Sequence, residues 1–346
     1  VVSYGALAPD GAGVLLPALV TGGAAVANPA GFALAARQGF LDGRNRLDDE
    51  HHSGDMLPMN FDVAAFVLAL QDTTPNELGS HFNSADPFNG IVWISSTWED
   101  SLDGFDGNSF ADVDENDRDD DDNEFERTPR PLCGGPDVSQ CNQDLPSVNA
   151  VRVVNAQTID PAVLPRGLSV ATNLPLYAWG NINTGSLSGG APDQPRTVDP
   201  TGNWVPMMLG GDAVTLLSGS WSNRTTERLL SRDEDDDDCI STATETHVVA
   251  AVLAGHVSST SSSWGGGINN FPRFLECWTN IPSRITGSLV IGFRSVYARD
   301  QYRGPNDYYS APDRFWNFDD NFANPAHQPP GTPSFFVQAV ERWDRD

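Results

Sequence analysis

Lysine is missing from this chain altogether: all 20 basic residues are arginine, against 47 acidic ones, for a formal net charge of -27 over 346 residues. So little positive charge excludes nucleic acid as a partner, because phosphate binding needs clustered Lys and Arg. It also argues against docking on an anionic membrane. Long apolar runs are lacking as well. A bilayer span needs about 20 consecutive apolar residues, and the nearest approach, Gly22–Ala36, is broken by Asn28 and Pro29. No CxxC spacing suggests zinc, no HExxH helix motif is present, and no GxSxG elbow offers an activated serine. Helical periodicity is scarce. An acidic surface without lysine suits a salty medium, in which counter-ions screen the self-repulsion.

What is abundant is aspartate, and it is concentrated. One block runs from Asp112 to Glu126 and a second from Asp233 to Asp238, each close to a cysteine. Adjacent carboxylates repel by about 1 kcal/mol at about 4 Å even in water. A fold keeps such blocks as solvated loops or as oxygen cages for a hard cation. Oxygens on alternate residues suit Ca2+: Asp112, Asp114 and Asn116, then Asp117, Asp119 and Asp121, with Asp103, Asp106 and Asn108 in a glycine-spaced turn before them. Calcium is therefore the expected cofactor, held in an acidic loop over 100–130. The glycine and glutamate positions of an EF-hand are absent. His51 and His52, next to Asp48, Asp49 and Glu50, read as a solvated polar loop, and His247 and His256 bracket a strand.

Four cysteines, Cys133, Cys141, Cys239 and Cys277, allow three pairings. The preferred one joins Cys133 to Cys141 and Cys239 to Cys277, which implies an oxidising, extracytoplasmic compartment. Asn223 opens a weak glycosylation sequon with Arg224 and Thr225. The opening Val-Val-Ser-Tyr, without Met, fits a processed, secreted product or the soluble part of something longer.

Abundant Gly (32) and Pro (25) favour an all-β, turn-rich chain. Residues 1–36 form an extended apolar N-terminal segment, a candidate inter-subunit strand acting by β-augmentation. Residues 37–346 read as one domain. Its small helical part is Phe61–Leu70, capped by Asn60, with a short turn expected near Pro75–Leu78 and a buried strand at Ile91–Ser95. From Val151 on, apolar strands recur: Val151–Val154, Leu168–Trp179, Pro206–Ser218, His247–Ala254 and Ile285–Val296. The last four centre on Val170, Leu209, Val252 and Val290, roughly 40 residues apart, as a parallel β-helix or solenoid with long loops requires. A β-sandwich is the alternative. An aromatic, Pro-rich cap closes the chain over 300–346.

Several short boxes occur in order: Gly39–Arg44, Asn76–Gly79, Phe88–Trp93, Gly167–Tyr177, Gly180-Asn181 with Asn183-Thr184, Gly211–Thr215, Phe271–Glu276, Arg314–Trp316 and the Pro-Pro-Gly-Thr-Pro ending at Pro333. Together, over roughly residues 37–336, they resemble the large surface domain of PilX-type pilus-assembly proteins of bacteria. The resemblance implies a surface-exposed, non-catalytic, β-helix-like domain associated with pili or related filaments. This chain differs in having acidic insertions, its own cysteine pattern and no hydrophobic anchoring helix at its start.

The expected function is that of a non-catalytic, extracellular structural subunit at the cell surface, stabilised by calcium and disulfides. Its partners are copies of itself in a filament or other pilus components, with surface glycans as candidate ligands. The alternatives are a carbohydrate-binding adhesin and a calcium-dependent polysaccharide lyase or hydrolase. The latter needs a basic or charge-stabilising arginine, and Arg273, Arg284 and Arg294 are the candidates. Calcium binding at 100-fold above Kd contributes about 2.7 kcal/mol to folding. Chelation is therefore expected to lower the thermal midpoint by a few degrees in differential scanning fluorimetry. An unchanged midpoint with EDTA argues against structural calcium.

Overall fold

A computed structural model describes residues 2–9, 15–21, 24–26, 40–41, 55–74, 78–82, 87–94, 148–188, 196–221, 242–261, 264–298 and 309–333, and for residues 2–41 it describes the backbone alone. In chain order the strands are β1 (Val2–Pro9), β2 (Leu15–Thr21), β3 (Ala24–Val26), β4 (Phe40–Leu41), β5 (Asp55–Asp62), β6 (Ile91–Ile94), β7 (Val148–Val154), β8 (Leu168–Thr172), β9 (Leu176–Trp179), β10 (Leu187–Ser188), β11 (Thr197–Val198), β12 (Met207–Gly211), β13 (Val214–Leu217), β14 (Thr246–Val249), β15 (Ala251–His256), β16 (Arg273–Phe274), β17 (Pro282–Gly287), β18 (Leu289–Arg294) and β19 (Asp313–Phe318). One α-helix, α1 (Val63–Gln71), follows β5.

These strands form mostly parallel sheets. The first sheet runs β18-β15-β12-β8-β6-β1-β2-β3, the second β16-β13-β9-β7-β5-β4 and the third β14-β17-β19. From β6 to β18 every neighbouring pair in the first sheet is parallel. The same holds from β5 to β16 in the second sheet and throughout the third. From β5 to β9 the chain alternates between the second and first sheets; from β12 to β18 it visits the first, second and third in rotation. A β-sandwich is thereby overturned, since its two sheets are antiparallel.

Register explains the core. On the first sheet Val92 pairs with Val170, Val170 with Leu209, Leu209 with Val252, and Val252 with Leu289. The first four are wholly buried. The last member is Leu289, one residue before the expected Val290. A matching column on the second sheet stacks Phe61, Val153, Ala178, Leu216 and Phe274, and Val248 stacks on Ile285 in the third. All belong to one apolar cluster. Each fully buried Val, Leu, Ile or Phe is worth about 1.5–3 kcal/mol of transfer free energy.

The long strands read from the sequence are each divided. Leu168–Trp179 becomes β8 and β9, Pro206–Ser218 becomes β12 and β13, His247–Ala254 lies across β14 and β15, and Ile285–Val296 lies across β17 and β18. At each break the chain leaves one sheet and enters the next. Apolar composition on both sides of such a corner hides it from a hydropathy pattern. Gly167, at φ +89, marks one point of close approach: a Cβ there would collide with the Pro206 carbonyl oxygen of the following coil.

The helix begins two residues later than its periodicity predicts. Asp62 caps it instead of Asn60, its Oδ1 accepting from the Ala65 amide at 3.0 Å, because β5 runs through Asp62. A 3-10 turn follows at Leu78–His81. Within 1–36 the described strands pair inside this chain: β1 pairs in parallel with β6, and β2 and β3 extend the same sheet. The aromatic tail is only partly an irregular cap, since Asp313–Phe318 forms β19.

Downstream of β19 the chain crosses back over the coils. Phe322 packs on Trp204 with ring centroids 6.4 Å apart, and His327 meets the same indole at 5.6 Å. The Ser169 hydroxyl then donates to the Pro330 carbonyl at 2.6 Å. No helix among the described residues is long and apolar enough to cross a membrane.

Leu209 occupies the middle of the buried column, whereas Leu68 on α1 is 66% exposed. Leu209→Ala is expected to cost about 2–5 kcal/mol in denaturant unfolding, and Leu68→Ala less than about 0.5 kcal/mol. Equal effects at the two sites would refute the column as the core.

Candidate functional site

Parallel pairing aligns polar residues as strictly as apolar ones. On the outer side of the third sheet, His247 of β14 pairs with Arg284 of β17, which pairs with Phe315 of β19. Arg284 is almost fully buried and lies over the Phe315 ring at 4.6 Å. Its Nε donates to Glu245 Oε1 at 2.7 Å, and Arg196 reaches the same oxygen at 3.3 Å. Burying a guanidinium in this way is tolerable only with such a partner. Glu245 is itself 44% exposed, so the pair remains in contact with solvent.

His247 is buried, and its Nε2 lies 3.0 Å from Thr286 Oγ1. Burial is the main cause that lowers its pKa to about 3, reinforced by the positive charges of Arg196 and Arg284. The imidazole is therefore neutral at ordinary pH. Hydrogen-bond directions then fix its role. The Asn317 amide nitrogen donates to the carbonyls of Arg196 and Phe318, which turns its oxygen toward Thr286. Thr286 gives that oxygen its only proton, at 3.2 Å. The Thr286 oxygen is left to accept from His247 Nε2–H. A hydroxyl whose proton points away from the imidazole is not being activated as a nucleophile, so this arrangement braces the strands.

The second sheet carries a comparable row on its outer side: Asn60, Arg152, Tyr177, Thr215 and Arg273 are in register. Arg152 donates from Nε to Asn60 Oδ1 at 2.8 Å and lies 4.8 Å from the Trp179 ring centroid. Burial lowers its pKa to about 10, so it remains cationic. Arg273 donates to the Ala298 carbonyl at 2.9 Å.

Corners hold three more buried polar clamps. The Asp212 carboxylate accepts the amides of Val296, Tyr297 and Ala298. Asn183, at φ +55, donates to the carbonyls of Val205 and Val249 and accepts from the Val205 amide. Glu276 accepts from both the amide and the hydroxyl of Ser218 at 2.6 Å. Burial raises the Glu276 pKa, while the Ser218 bonds oppose that shift. Sequence reading did not assign roles to these residues, although Gly211-Asp212 and Asn183-Thr184 fell within the boxes singled out there. Asp and Asn after a strand signal a turn, and that was the available clue.

The expected site residues fare as follows. Asp103, Asp106, Asn108, Asp112, Asp114, Asn116, Asp117, Asp119 and Asp121 lie outside the described residues, as do Asn223, Cys133, Cys141, Cys239, His51 and His52. Cys277 carries a free, half-buried thiol. Its expected partner, Cys239, lies outside the described residues. Cys277 is held through its backbone, bridged in parallel to Thr242 and Ser310. Of the three arginines considered for catalysis, Arg273 and Arg284 are buried in the rows just described and only Arg294 is exposed. Among the described residues no three metal-ligating side chains converge.

No protein-family model matches this chain, and neither the curated proteins nor the solved structures contain a match to it.

The unfolded chain takes up a proton at His247 near pH 6.5, and the folded chain does so only near pH 3. Stability from this group is thus complete above about pH 6.5 and declines as the pH falls toward about 3. His247→Gln is expected to flatten the stability profile between about pH 6.5 and 4.5, measured by urea midpoints. Parallel profiles for the two proteins would show that His247 is not held neutral.

Proposed function

We propose that this chain is a non-catalytic structural subunit of a bacterial surface filament, or a pilus-associated protein, built as a parallel β-helix. The observation that carries this reading is the in-register stacking of strands from successive circuits in three sheets. A chain that rotates through three parallel sheets extends along one axis, and stiffness along an axis is what a filament component requires. The buried charged groups agree with that role: Arg152, Arg273, Arg284, Asp212 and Glu276 are each engaged by neighbouring coils or corners. The resemblance to PilX-type proteins supplies the pilus context. An extracellular location, calcium in the acidic loop over 100–130 and a Cys133–Cys141 bridge belong to the same proposal.

One observation favours a carbohydrate-binding adhesin as a second reading. Trp93 and Trp264 are 38% and 53% exposed, and indole faces stack on sugars in water.

Negative-stain electron microscopy of the purified chain with millimolar calcium is expected to show elongated rods or fibres. Incubation with acidic polysaccharides is expected to release no unsaturated uronate absorbance. Isolated globular particles would overturn the filament reading. Release of unsaturated product would establish the lyase alternative, and glycan-array binding without turnover would establish the adhesin.

A further inference from the structure

The corner clamp at Glu276 extends beyond its two bonds from Ser218. Ser218 follows β13 in the second sheet, Glu276 follows β16 beside it, and Thr242 precedes β14 in the third. A line of oxygens joins the three. Ser218 Oγ lies 2.6 Å from Glu276 Oε1, Ser220 Oγ lies 2.9 Å from Ser218 Oγ, and the Thr242 carbonyl oxygen lies 3.0 Å from Ser220 Oγ. Glu276 and Ser218 are buried, whereas Ser220 is exposed. The line therefore runs from solvent to a buried carboxyl.

Each of these three contacts is of hydrogen-bond length and needs one proton. The two serine hydroxyls supply two, and a carbonyl supplies none. All three contacts are bonds only when the Glu276 carboxyl itself carries a proton. With Glu276 ionised, Ser220 donates to Ser218 and Ser218 to Glu276, and Thr242 receives nothing from Ser220. With Glu276 protonated, Oε1–H donates to Ser218, Ser218 donates to Ser220, and Ser220 donates to Thr242. In both states the Ser218 amide donates to Oε2 at 2.6 Å and the Ser220 amide to Ser218 Oγ at 3.2 Å.

We propose that Ser220, Ser218 and Glu276 form a reversible proton line, so that acid fastens the corner of the second sheet to Thr242 at the entry to the third and loss of the proton releases it. This device is independent of the filament reading. The transfer balances at every oxygen. A hydronium ion gives its proton to Ser220 Oγ, Ser220 passes its own to Ser218, and Ser218 passes its own to Glu276 Oε1. Each hydroxyl ends with one proton directed away from Glu276, which is the fastened arrangement. Water takes the proton back on reversal.

The described titratable groups on the surrounding segments are Arg273 and Cys277 on Glu276's own, Glu245 and His247 around the start of β14, and Tyr309 beside Ser310. Arg273 donates to the Ala298 carbonyl, Glu245 holds Arg284, His247 meets Thr286, and Tyr309 donates to the Asn269 carbonyl. None of them bonds to the Glu276 carboxyl. Burial raises its pKa, and the Ser218 bonds oppose that rise. Stability from this group is thus complete below about pH 4.5, the ordinary value, and is lost as the pH rises through the folded transition.

Infrared difference spectra of the full chain against Glu276→Gln, recorded from acid to neutral pH, read the carboxyl directly. A carboxylic C=O band that persists above the ordinary glutamate range is expected, giving way to a carboxylate band. Ser220→Ala removes the acceptor that Ser218 uses in the fastened state, so the midpoint is expected to fall by about one pH unit. Ser220→Thr keeps the hydroxyl and is expected to restore it. Ser220 is exposed, so these two variants can be compared directly with the unaltered chain. Glu276→Gln places an amide N–H where the protonated carboxyl keeps its proton. Its urea midpoint is expected to stay level across the transition over which that of the unaltered chain declines. A carboxylate at every pH overturns the proposal. So does a midpoint unmoved by Ser220→Ala, because burial alone then holds the proton.

Discussion

Parallel pairing in register makes each strand the template for its neighbour in the sheet. Once Val170 lies against Leu209 and Leu209 against Val252, every other column follows, because side chains alternate across a strand with a period of two. A slip of one residue would turn those three side chains outward and bring Ser169 and Met208 into the core. It would also move Asp212 away from the three amides it binds and Asn183 away from Val205 and Val249. The apolar columns and the polar clamps therefore enforce the same register from opposite sides of the backbone.

The clamps also account for the buried charge. A chain of net charge -27 has reason to keep its cations on the surface, yet Arg152, Arg273 and Arg284 are buried. Each is stacked in a row along a sheet and donates to a carboxylate, an amide oxygen or a carbonyl of another segment. Removing one partner would strand a buried ion, which costs far more than a lost surface contact. Such rows contribute specificity of stacking more than net stability. His247 belongs to the same class: the bonding pattern around Thr286 and Asn317 gives it a bracing position.

The return path of residues 319–333 is the second organising feature. It packs Phe322 and His327 on Trp204 and ties Pro330 to β8. It thereby couples strands that are not neighbours in any one sheet.

Spacing was what the sequence conveyed best. Apolar centres near Val170, Leu209 and Val252 are the residues that stack, because a repeat of roughly 40 residues survives even where the loops between differ. The corners were passed over: Asn173–Pro175 between β8 and β9, and Asp212-Ala213 between β12 and β13, lie inside segments read as single strands, although Asn and Asp there are turn signals. The helix cap shifted from Asn60 to Asp62 because sheet pairing outcompeted local periodicity. Composition and periodicity by themselves determined that this chain is acidic, turn-rich and built from recurring strands, since those properties follow from residue types and their intervals. Which faces are buried and which charges are clamped were decided by the tertiary structure, because each depends on contacts between strands far apart in the sequence.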